Sequence, residues 1–177
     1  MSPAQFRIEQ LDPAKHDRQS FDCGVAALND YLRERAGQDM RRRAAACWVL
    51  TSTDRPAIVL GFYTLSSESI LTADLPELSK VSQKKIPRYD KLGAILLGRF
   101  AVSKNEQRQG LGEHLLYDAF RRAYAAEIPS VLVVTDPKDE KAEEFYTKHG
   151  FRKLGAERMF ILMIDVVELF RNRDSHH

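Results

Sequence analysis

The feature that most constrains this chain is an apolar segment, Ala94–Val102, followed by a short polar loop, a glycine pair and an amphipathic helix. Gly110 and Gly112 let the backbone approach a ligand closely. Free amide hydrogens in the first turn of the following helix point at an anion, and the helix dipole adds to the attraction. The segment therefore predicts a strand, a turn with an anion site, and a helix. A glycine turn that serves only packing is the alternative.

The rest of the chain predicts one domain of mixed α/β type. Its 177 residues, 44% of them hydrophobic, suit one domain over residues 1–170 with a polar tail over 171–177, where His176 and His177 resemble a tag remnant. No apolar run reaches the length of a membrane helix, and Met1–Arg7 shows no secretory signal. Cys23 and Cys47 have no metal-like spacing, which predicts two reduced thiols in a cytoplasmic protein and no metal site.

Hydrophobic periodicity predicts the order of the elements. The expected strands are Phe6–Leu11, Ala46–Ser52, Ile58–Ser66, Ala94–Val102, Val131–Thr135 and Met159–Val166. The expected helices are Val25–Met40 with Asp22 as its cap, Leu111–Ala126, and Glu140–His149 closed by Gly150. Thr72–Lys91 predicts a short helix and a loop, the best candidate for a mobile segment. This order predicts a single central mixed sheet, mostly antiparallel, with helices on both faces.

Two common phosphate loops do not fit the turn. A Walker loop requires Gly-Lys-Ser/Thr, which is absent, and a dinucleotide fingerprint requires a third glycine where Leu115 stands. The sequence Gln107-Arg108-Gln109-Gly110-Leu111-Gly112 instead resembles the Gln/Arg-x-x-Gly-x-Gly/Ala element of the GNAT acetyltransferases. The resemblance implies the GNAT fold, a pyrophosphate of acetyl-CoA held by the turn, and a pantetheine arm paired with the preceding strand. The cofactor contacts it implies are Phe100, Ala101, Val102, Gln107, Arg108, Gln109, Gly110, Leu111, Gly112 and Glu113.

A second motif carries the same resemblance. Phe145-Tyr146 and Gly150-Phe151 match a Phe-Tyr-x-x-x-Gly-Phe pattern of the GNAT family, in which the tyrosine lies near the thioester sulfur. The resemblance implies that Tyr146 is the general acid for the departing thiolate and that Phe145 contacts the cofactor. Without the resemblance, a tyrosine that packs its helix would be the better interpretation of Tyr146.

A general base is absent from the place where many family members have one. Residues 92–105 contain no acidic side chain, and Glu68 on the preceding strand is a possible substitute. A lysine side chain, with a pKa near 10.4, needs a base to become nucleophilic. An α-amino group, with a pKa near 7.7–8, is substantially neutral without one. The missing carboxylate therefore favours an α-amine substrate.

Further segments resemble a GNAT subfamily, the toxins of bacterial toxin–antitoxin modules. These segments are Phe21-Asp22-Cys23-Gly24, Leu28–Leu32, Gln38–Arg43, Trp48–Leu50 and Leu97–Val102. The resemblance implies acetylation of the α-amino group of aminoacyl-tRNA, which blocks translation. It also implies a homodimer and a ribbon-helix-helix antitoxin.

The net charge of +2 does not by itself indicate a polyanionic partner, but the basic residues are clustered. Under the toxin interpretation these clusters contact tRNA phosphates. The expected tRNA contacts are Arg41, Arg42, Arg43, Lys84, Lys85, Arg88 and Arg99. A solvated charged face is the alternative for each cluster, and a structural role is the alternative for Arg99.

Two other functions keep part of this interpretation. An ordinary GNAT enzyme acting on a small amine, an antibiotic or a protein N-terminus retains the acetyl-CoA site but leaves the basic clusters unexplained. A non-catalytic acyl-CoA-binding module retains only the fold, and the intact Tyr146 speaks against it.

Overall fold

A computed structural model describes residues 5–176 of the chain. Residues 1–4 and His177 lie outside the described residues. They belong to the segment Met1–Arg7, in which no secretory signal was predicted, and to the predicted tail. The described chain divides into two compact units. The first unit comprises the residues up to Ser66 together with Gly98–Ala119, and the second comprises Ser67–Leu97 together with the residues from Phe120 onward. A single domain over residues 1–170 stays a prediction.

Seven strands form one sheet in the order β1-β2-β3-β4-β5-β7-β6. Most of the described pairings are antiparallel, and β4 pairs with β5 in parallel. The predicted mixed, mostly antiparallel sheet is therefore confirmed. The strands are β1 Phe6–Gln10, β2 Ala46–Ser52, β3 Gly61–Leu71, β4 Lys91–Val102, β5 Leu132–Thr135, β6 Arg152–Leu154 and β7 Arg158–Leu162.

Helices fill most of the remaining chain. The first helical stretch consists of α1 Ala26–Asp30, a π-helical turn Tyr31–Arg35 and α2 Ala36–Arg41. The others are α3 Lys80–Gln83, α4 Leu111–Tyr124, α5 Glu140–Lys148 and α6 Met163–Asp174. Across residues 5–176, the model has no helix with the length and apolar character needed to traverse a bilayer.

Several sequence predictions differ from the structure; β3, for example, is Gly61–Leu71 where Ile58–Ser66 was predicted. Val25, and not Asp22, is the residue before α1, because the Asp22 carboxylate is bonded elsewhere. The strand predicted at Met159–Val166 ends at Leu162, and α6 begins at Met163 and continues into the predicted tail. Met163 and Val166 are both buried, and their spacing of three residues places them on one face of a helix. A short apolar run is compatible with either a strand or a helix, which is why the strand was predicted too long. The three-residue strand β6 was too short for a periodic signal.

Each unit has its own hydrophobic core. In the first unit, the buried face of the initial helix packs against β2 and β3, with Leu32 and Phe62 fully buried. The Phe21 ring meets the Phe62 ring edge-on at 5.4 Å, a favoured aromatic geometry. In the second unit, alternate residues of β5 and β7 fill a core that includes Leu132 and Phe160. Packing of these apolar faces provides most of the stability of the elements.

Candidate active site

The turn after β4 has the backbone shape of an anion site. The Ser103 amide donates to the Leu60 carbonyl at 2.8 Å, and a 3₁₀ turn, Lys104–Glu106, follows. Arg108 has φ 67° and Gly110 has φ 76°, so left-handed residues alternate with their neighbours just before α4 begins. Such alternation turns successive amides toward one concave surface, which binds anions. The sequence prediction of a strand, a turn and a helix here is confirmed.

The carboxyl half of β4 extends beyond its described pairing with β5. That pairing ends with Leu97 opposite Thr135, whereas β4 continues through Gly98–Val102. In this stretch the Ala101 side chain is buried and Phe100 is half-buried. This stretch stays next to β3 in the sheet, but on its other edge the described pairing with β5 has ended, and an open strand edge offers backbone donors and acceptors to an extended ligand. The predicted pantetheine contacts Phe100, Ala101 and Val102 lie on this stretch.

A network around Asp22 holds the turn to the start of α1. The Asp22 carboxylate accepts hydrogen bonds from the Gly24 amide at 2.8 Å and the Asn29 side chain at 3.0 Å. The Lys104 ammonium lies 2.8 Å from its other oxygen, and the Lys104 amide donates to the Asp22 carbonyl at 2.9 Å. These bonds to the charged form, led by the one from Lys104, hold the pKa of Asp22 far below its usual range.

The Gln107 side chain links the turn to the end of β4 and to Cys23. Its side-chain amide donates to the Val102 carbonyl at 3.0 Å and to the Cys23 carbonyl at 3.3 Å. The Cys23 amide in turn donates to the side chain of Asn29 at 2.9 Å. The Phe21-Asp22-Cys23-Gly24 segment is therefore the support of the turn. The amide nitrogen of the Gln107 side chain is therefore committed to this support.

Tyr146 is on α5 in the second unit, and its side chain is buried. Burial raises the pKa of Tyr146 to about 12, and a hydrogen bond with the Thr135 side chain opposes part of that rise. Phe145 precedes it on α5, half-buried, with its ring 4.6 Å from that of His149. Gly150 has φ 95° and ends the helix in the left-handed region, as the sequence predicts. Tyr146 therefore keeps its proton throughout the neutral pH range.

Glu68, the candidate base, is bound to an arginine. One carboxylate oxygen lies 3.2 Å from Arg158 Nη1, and the other accepts the amide hydrogen of Ser69 at 2.9 Å. Arg158 also binds both oxygens of Asp136, at 2.7 and 3.0 Å. Both oxygens of Glu68 are therefore engaged by neighbouring groups, so the geometry gives no support to Glu68 as the base.

Arg99 lies on a buried tyrosine of the first unit. Its guanidinium carbon is 4.6 Å from the centroid of the Tyr31 ring, a cation–π contact. The Tyr31 hydroxyl donates to Asp39 at 2.8 Å, and its ring stacks on Phe62. The Arg99 side chain remains exposed, so its guanidinium is oriented from one side and open on the other. This arrangement suits an arginine that meets an anionic ligand.

Arg41, Arg42 and Arg43 end the first helical stretch and are exposed. Within residues 5–176 none of the three forms an ion pair. Arg43 has φ 58°, and it closes a Schellman motif in which its amide donates to Met40 and the Ala44 amide donates to Asp39. Glycine is preferred at that position, so an arginine there carries backbone strain. An outlier of this kind motivates the hypothesis that the side chain has a function.

The predicted tRNA contacts Lys84, Lys85 and Arg88 have different environments in the structure. The Lys85 ammonium lies 3.1 Å from Asp165 and 3.4 Å from Glu168, both on α6. Hydrogen bonding to Asp165 raises the pKa of Lys85, so it stays charged and committed to that contact. Lys84 and Arg88 are exposed on the other side of the segment, and neither has an ion-pair partner in the described part of the chain.

Sequence reasoning missed the residues that support these sites. The Asp22–Asn29–Lys104 network links residues more than seventy positions apart, and no local pattern indicates it. Arg158 likewise reaches Glu68 across 90 positions. The π-helical turn that places Tyr31 leaves no mark in the hydrophobic periodicity of the sequence. Such turns inside helices occur frequently at functional sites.

We expect Asp22→Asn to weaken binding of coenzyme A. The amide keeps the size of the side chain but loses the ion pair with Lys104, so the turn is less ordered before the ligand arrives. Isothermal titration should give a dissociation constant raised roughly a few-fold, the size typical of one exposed ion pair. Asp54→Asn, which changes an exposed carboxylate distant in sequence, is the control. Equal affinities of the Asp22 variant and the wild type would contradict the bracing role.

Tyr146 should also make stability depend on pH at alkaline values. Its pKa is about 12 in the folded chain and near 10 in an unfolded one, so between these values only the folded state holds the proton. The free energy of unfolding should therefore fall by about 1.4 kcal/mol per pH unit from this group. Urea unfolding at pH 9 and 11 should show a smaller decline in Tyr146→Phe than in the wild type. Identical declines would show that Tyr146 is not buried as described.

Solved structures of known proteins share this fold. The AtaT toxin complexed with acetyl-methionyl-tRNAfMet is 32% identical, with a TM-score of 0.80 over 94% of this chain and 99% of that one. A complex named AtaTR bound with acetyl-CoA is 33% identical, with a TM-score of 0.76 over 93% and 98%. A mutant AtaT toxin bound to the C-terminus of the antitoxin AtaR is 26% identical, with a TM-score of 0.79 over 93% and 98%.

Sequence comparison agrees with the structures. The family model described as an acetyltransferase (GNAT) domain matches residues 43–153. A protein of Mycobacterium tuberculosis (strain ATCC 25618 / H37Rv) named tRNA-acetylating toxin is 33% identical over 163 residues, 91% of each chain. The matched region includes the anion turn and Tyr146, so the resemblance inferred from these motifs is confirmed. The chain belongs to the GNAT family of acetyltransferases.

Proposed function

We propose that this protein is a toxin that transfers the acetyl group of acetyl-CoA to the α-amino group of aminoacyl-tRNA. The observation that carries the proposal is the braced left-handed turn between β4 and α4, in a chain similar over most of its length to tRNA-acetylating toxins. An acetylated α-amine can no longer form a peptide bond, so the reaction blocks translation.

The first unit holds the cofactor. Amides of Arg108, Gln109, Gly110, Leu111 and Gly112 and the positive end of the α4 dipole bind the pyrophosphate, while Glu113 lies in the first turn of α4. The edge of Gly98–Val102 on the β5 side, beyond the described pairing with β5, pairs with the pantetheine arm. Acetyl-CoA supplies an acyl thioester whose leaving group is a thiol with a pKa near 8.5.

Tyr146 assists the departure of the thiol. Because its pKa is about 12, it is protonated at neutral pH and has a hydrogen to donate. A thiolate is a weaker base than that phenolate, so a hydrogen bond from Tyr146 stabilises the thiolate and full transfer of the proton is not needed. Phe145, next to it on α5, is proposed as an apolar contact of the cofactor.

The amine needs no protein base. Glu68 is committed to Arg158, and residues 92–105 contain no acidic side chain. At pH 7 roughly a tenth to a sixth of an α-amino group with a pKa near 7.7–8 is neutral, and the ester bond to tRNA lowers that pKa further. The neutral amine attacks the thioester directly, the C–S bond breaks, and the nitrogen releases its extra proton to solvent. A lysine side chain would be almost fully protonated under the same conditions. This difference supports an aminoacyl α-amine over a lysine as the acceptor.

The exposed arginines contact the RNA. Arg41, Arg42 and Arg43 have no competing ion pairs among the described residues, and each can neutralise a phosphate. Arg99, oriented by the Tyr31 ring, binds a phosphate near the acceptor end. Lys84 and Arg88 are proposed as further phosphate contacts in the second unit, whereas Lys85 is paired with α6. The proposal therefore retains six of the seven predicted tRNA contacts.

The family resemblance supports three further features. Residues 1–170 act as one acetyltransferase domain, and two copies of the chain associate as a homodimer. A ribbon-helix-helix antitoxin inhibits the toxin by covering its active site. The site of action is the cytoplasm, because aminoacyl-tRNA is made and consumed there.

We expect Tyr146→Phe to lose most of its acetyltransferase activity. The substitution keeps the buried ring but removes the hydroxyl hydrogen, so release of the thiol should slow by at least ~100-fold. Release of coenzyme A thiol, followed with a chromogenic disulfide, measures the rate, and titration with coenzyme A should show unchanged binding. A variant with the wild-type rate would contradict the role of Tyr146.

Arg43→Gly should change stability and RNA binding in opposite directions. Glycine relieves the left-handed strain at φ 58°, which should raise the free energy of unfolding by roughly 1 kcal/mol. Loss of the charge should reduce the slope of log affinity for tRNA against log salt by about one. Arg43→Lys, which keeps both the charge and the strain, is the control and should change neither quantity much. A gain in stability with an unchanged salt slope would remove Arg43 from the RNA interface.

A further inference from the structure

The segment between β3 and β4 forms a groove within the second unit that the proposed chemistry does not use. The groove is open to solvent and has a volume of about 1090 Å³, slightly above the upper end, about 1,000 Å³, of small-ligand clefts. Apolar atoms of Leu71, Ala73, Ile86 and Pro87 contribute to its lining. Its charged residues are Lys80, Lys84 and Arg88, with Asp90 as the one acid, so the balance is positive.

The segment that carries the groove is anchored at several points. The Thr72 amide donates to the Asp90 carbonyl at 2.9 Å, and the Thr72 hydroxyl donates to the Tyr89 carbonyl, which closes the base of the loop. Leu78 is buried in the core of the second unit, and Lys85 is bound to α6. These anchors show that the groove exists before any ligand binds.

Tyr89 lines the groove with most of its ring in solvent. The side chain is 70% exposed, although its backbone is held by Thr72. A tyrosine that packs a core is buried, whereas exposed aromatic rings beside positive charge are the surface on which proteins stack unpaired bases. Lys80, Lys84 and Arg88 are all exposed, and none has an ion pair within the part of the chain that the structure describes.

We infer that this groove binds an unpaired nucleotide at the 3′ end of tRNA, with its base stacked on Tyr89 and its phosphate on Lys84 and Arg88. The inference rests on the proposed function and specifies where in the protein the RNA strand lies. A base pair inside a helix could not reach the ring, because both of its faces are stacked. Among the unpaired segments of tRNA, the acceptor end is the one that carries the aminoacyl group and must come to this enzyme.

The contact is expected to tolerate different bases. Every base has a flat π-face, and stacking on an aromatic ring requires no hydrogen bonds to base edges. The apolar floor excludes water from one side of the base, and Asp90 disfavours a phosphate at its end of the groove. Tyr89 therefore adds affinity for a single strand without choosing the amino acid that the tRNA carries.

The test compares four proteins on two RNAs. Wild type, Tyr89→Ala, Tyr89→Phe and Tyr124→Ala are titrated against a fluorescently labelled intact tRNA and the same tRNA lacking its unpaired 3′ nucleotides. Tyr124 is a matched control, because it is also an exposed tyrosine of the second unit, at 60%. Tyr89→Phe keeps the stacking surface and removes only the hydroxyl.

Tyr89→Ala should bind intact tRNA roughly tenfold more weakly, as expected for one lost base stack. Tyr89→Phe and Tyr124→Ala should stay within about twofold of wild type, and all four proteins should bind the truncated tRNA alike. Equal binding of intact tRNA by Tyr89→Ala and wild type would overturn the inference. An equal loss on both RNAs would also overturn it, because the missing contact would then not be to the 3′ end.

A fluorescent variant gives a second readout. Tyr89→Trp should stack at least as well, and its emission beyond that of Trp48 should be quenched by intact tRNA but not by truncated tRNA. Unchanged emission on saturation would overturn the inference. Acetylation of charged tRNA by the wild type is scored separately. Activity with no effect at Tyr89 overturns only this inference, whereas absence of both acetylation and tRNA binding overturns the proposed function as well.

Discussion

The Asp22 carboxylate is the contact on which the candidate cofactor site depends. It binds the Lys104 ammonium at 2.8 Å and accepts hydrogen bonds from Gly24 and Asn29, so it joins the start of α1 to the turn before α4. A turn that contains two left-handed residues would otherwise sample many shapes, and a ligand would have to pay for ordering it. The bonds to Asp22 fix the turn at Lys104, where it leaves β4, against the start of α1.

The same first helical stretch serves the proposed RNA site. Its π-helical turn brings Tyr31 into the core, where the ring supports Arg99 and the hydroxyl binds Asp39. Its far end is closed by the strained Arg43. One element therefore supports the turn, orients an arginine and presents a basic cluster. This sharing explains why the segments that resemble the toxin subfamily are concentrated between Phe21 and Arg43.

Local patterns predicted the parts of the fold that repeat along the chain. The helix α4 and the strands β2 and β5 were predicted to within about two residues, because their periodicity is regular and their ends carry glycine or polar residues. The strand predicted at Met159–Val166 was wrong beyond Leu162, since a short apolar run fits either a strand or a helix face. The prediction that Asp22 caps the first helix was wrong, because its partner Lys104 is distant in the sequence and could not be anticipated. The ion pair of Lys85 with Asp165 on α6 could not be predicted for the same reason.

Transfer of labelled acetyl from acetyl-CoA to a total pool of aminoacyl-tRNA tests the central claim most directly. Deacylated tRNA and free amino acids are the controls. We predict that the labelled acetyl group appears on charged tRNA alone. Mild base, which cleaves the ester between the amino acid and the tRNA, should release the label together with the amino acid. A protein that binds acetyl-CoA but leaves charged tRNA unlabelled would contradict the account and direct attention to small amines and protein N-termini.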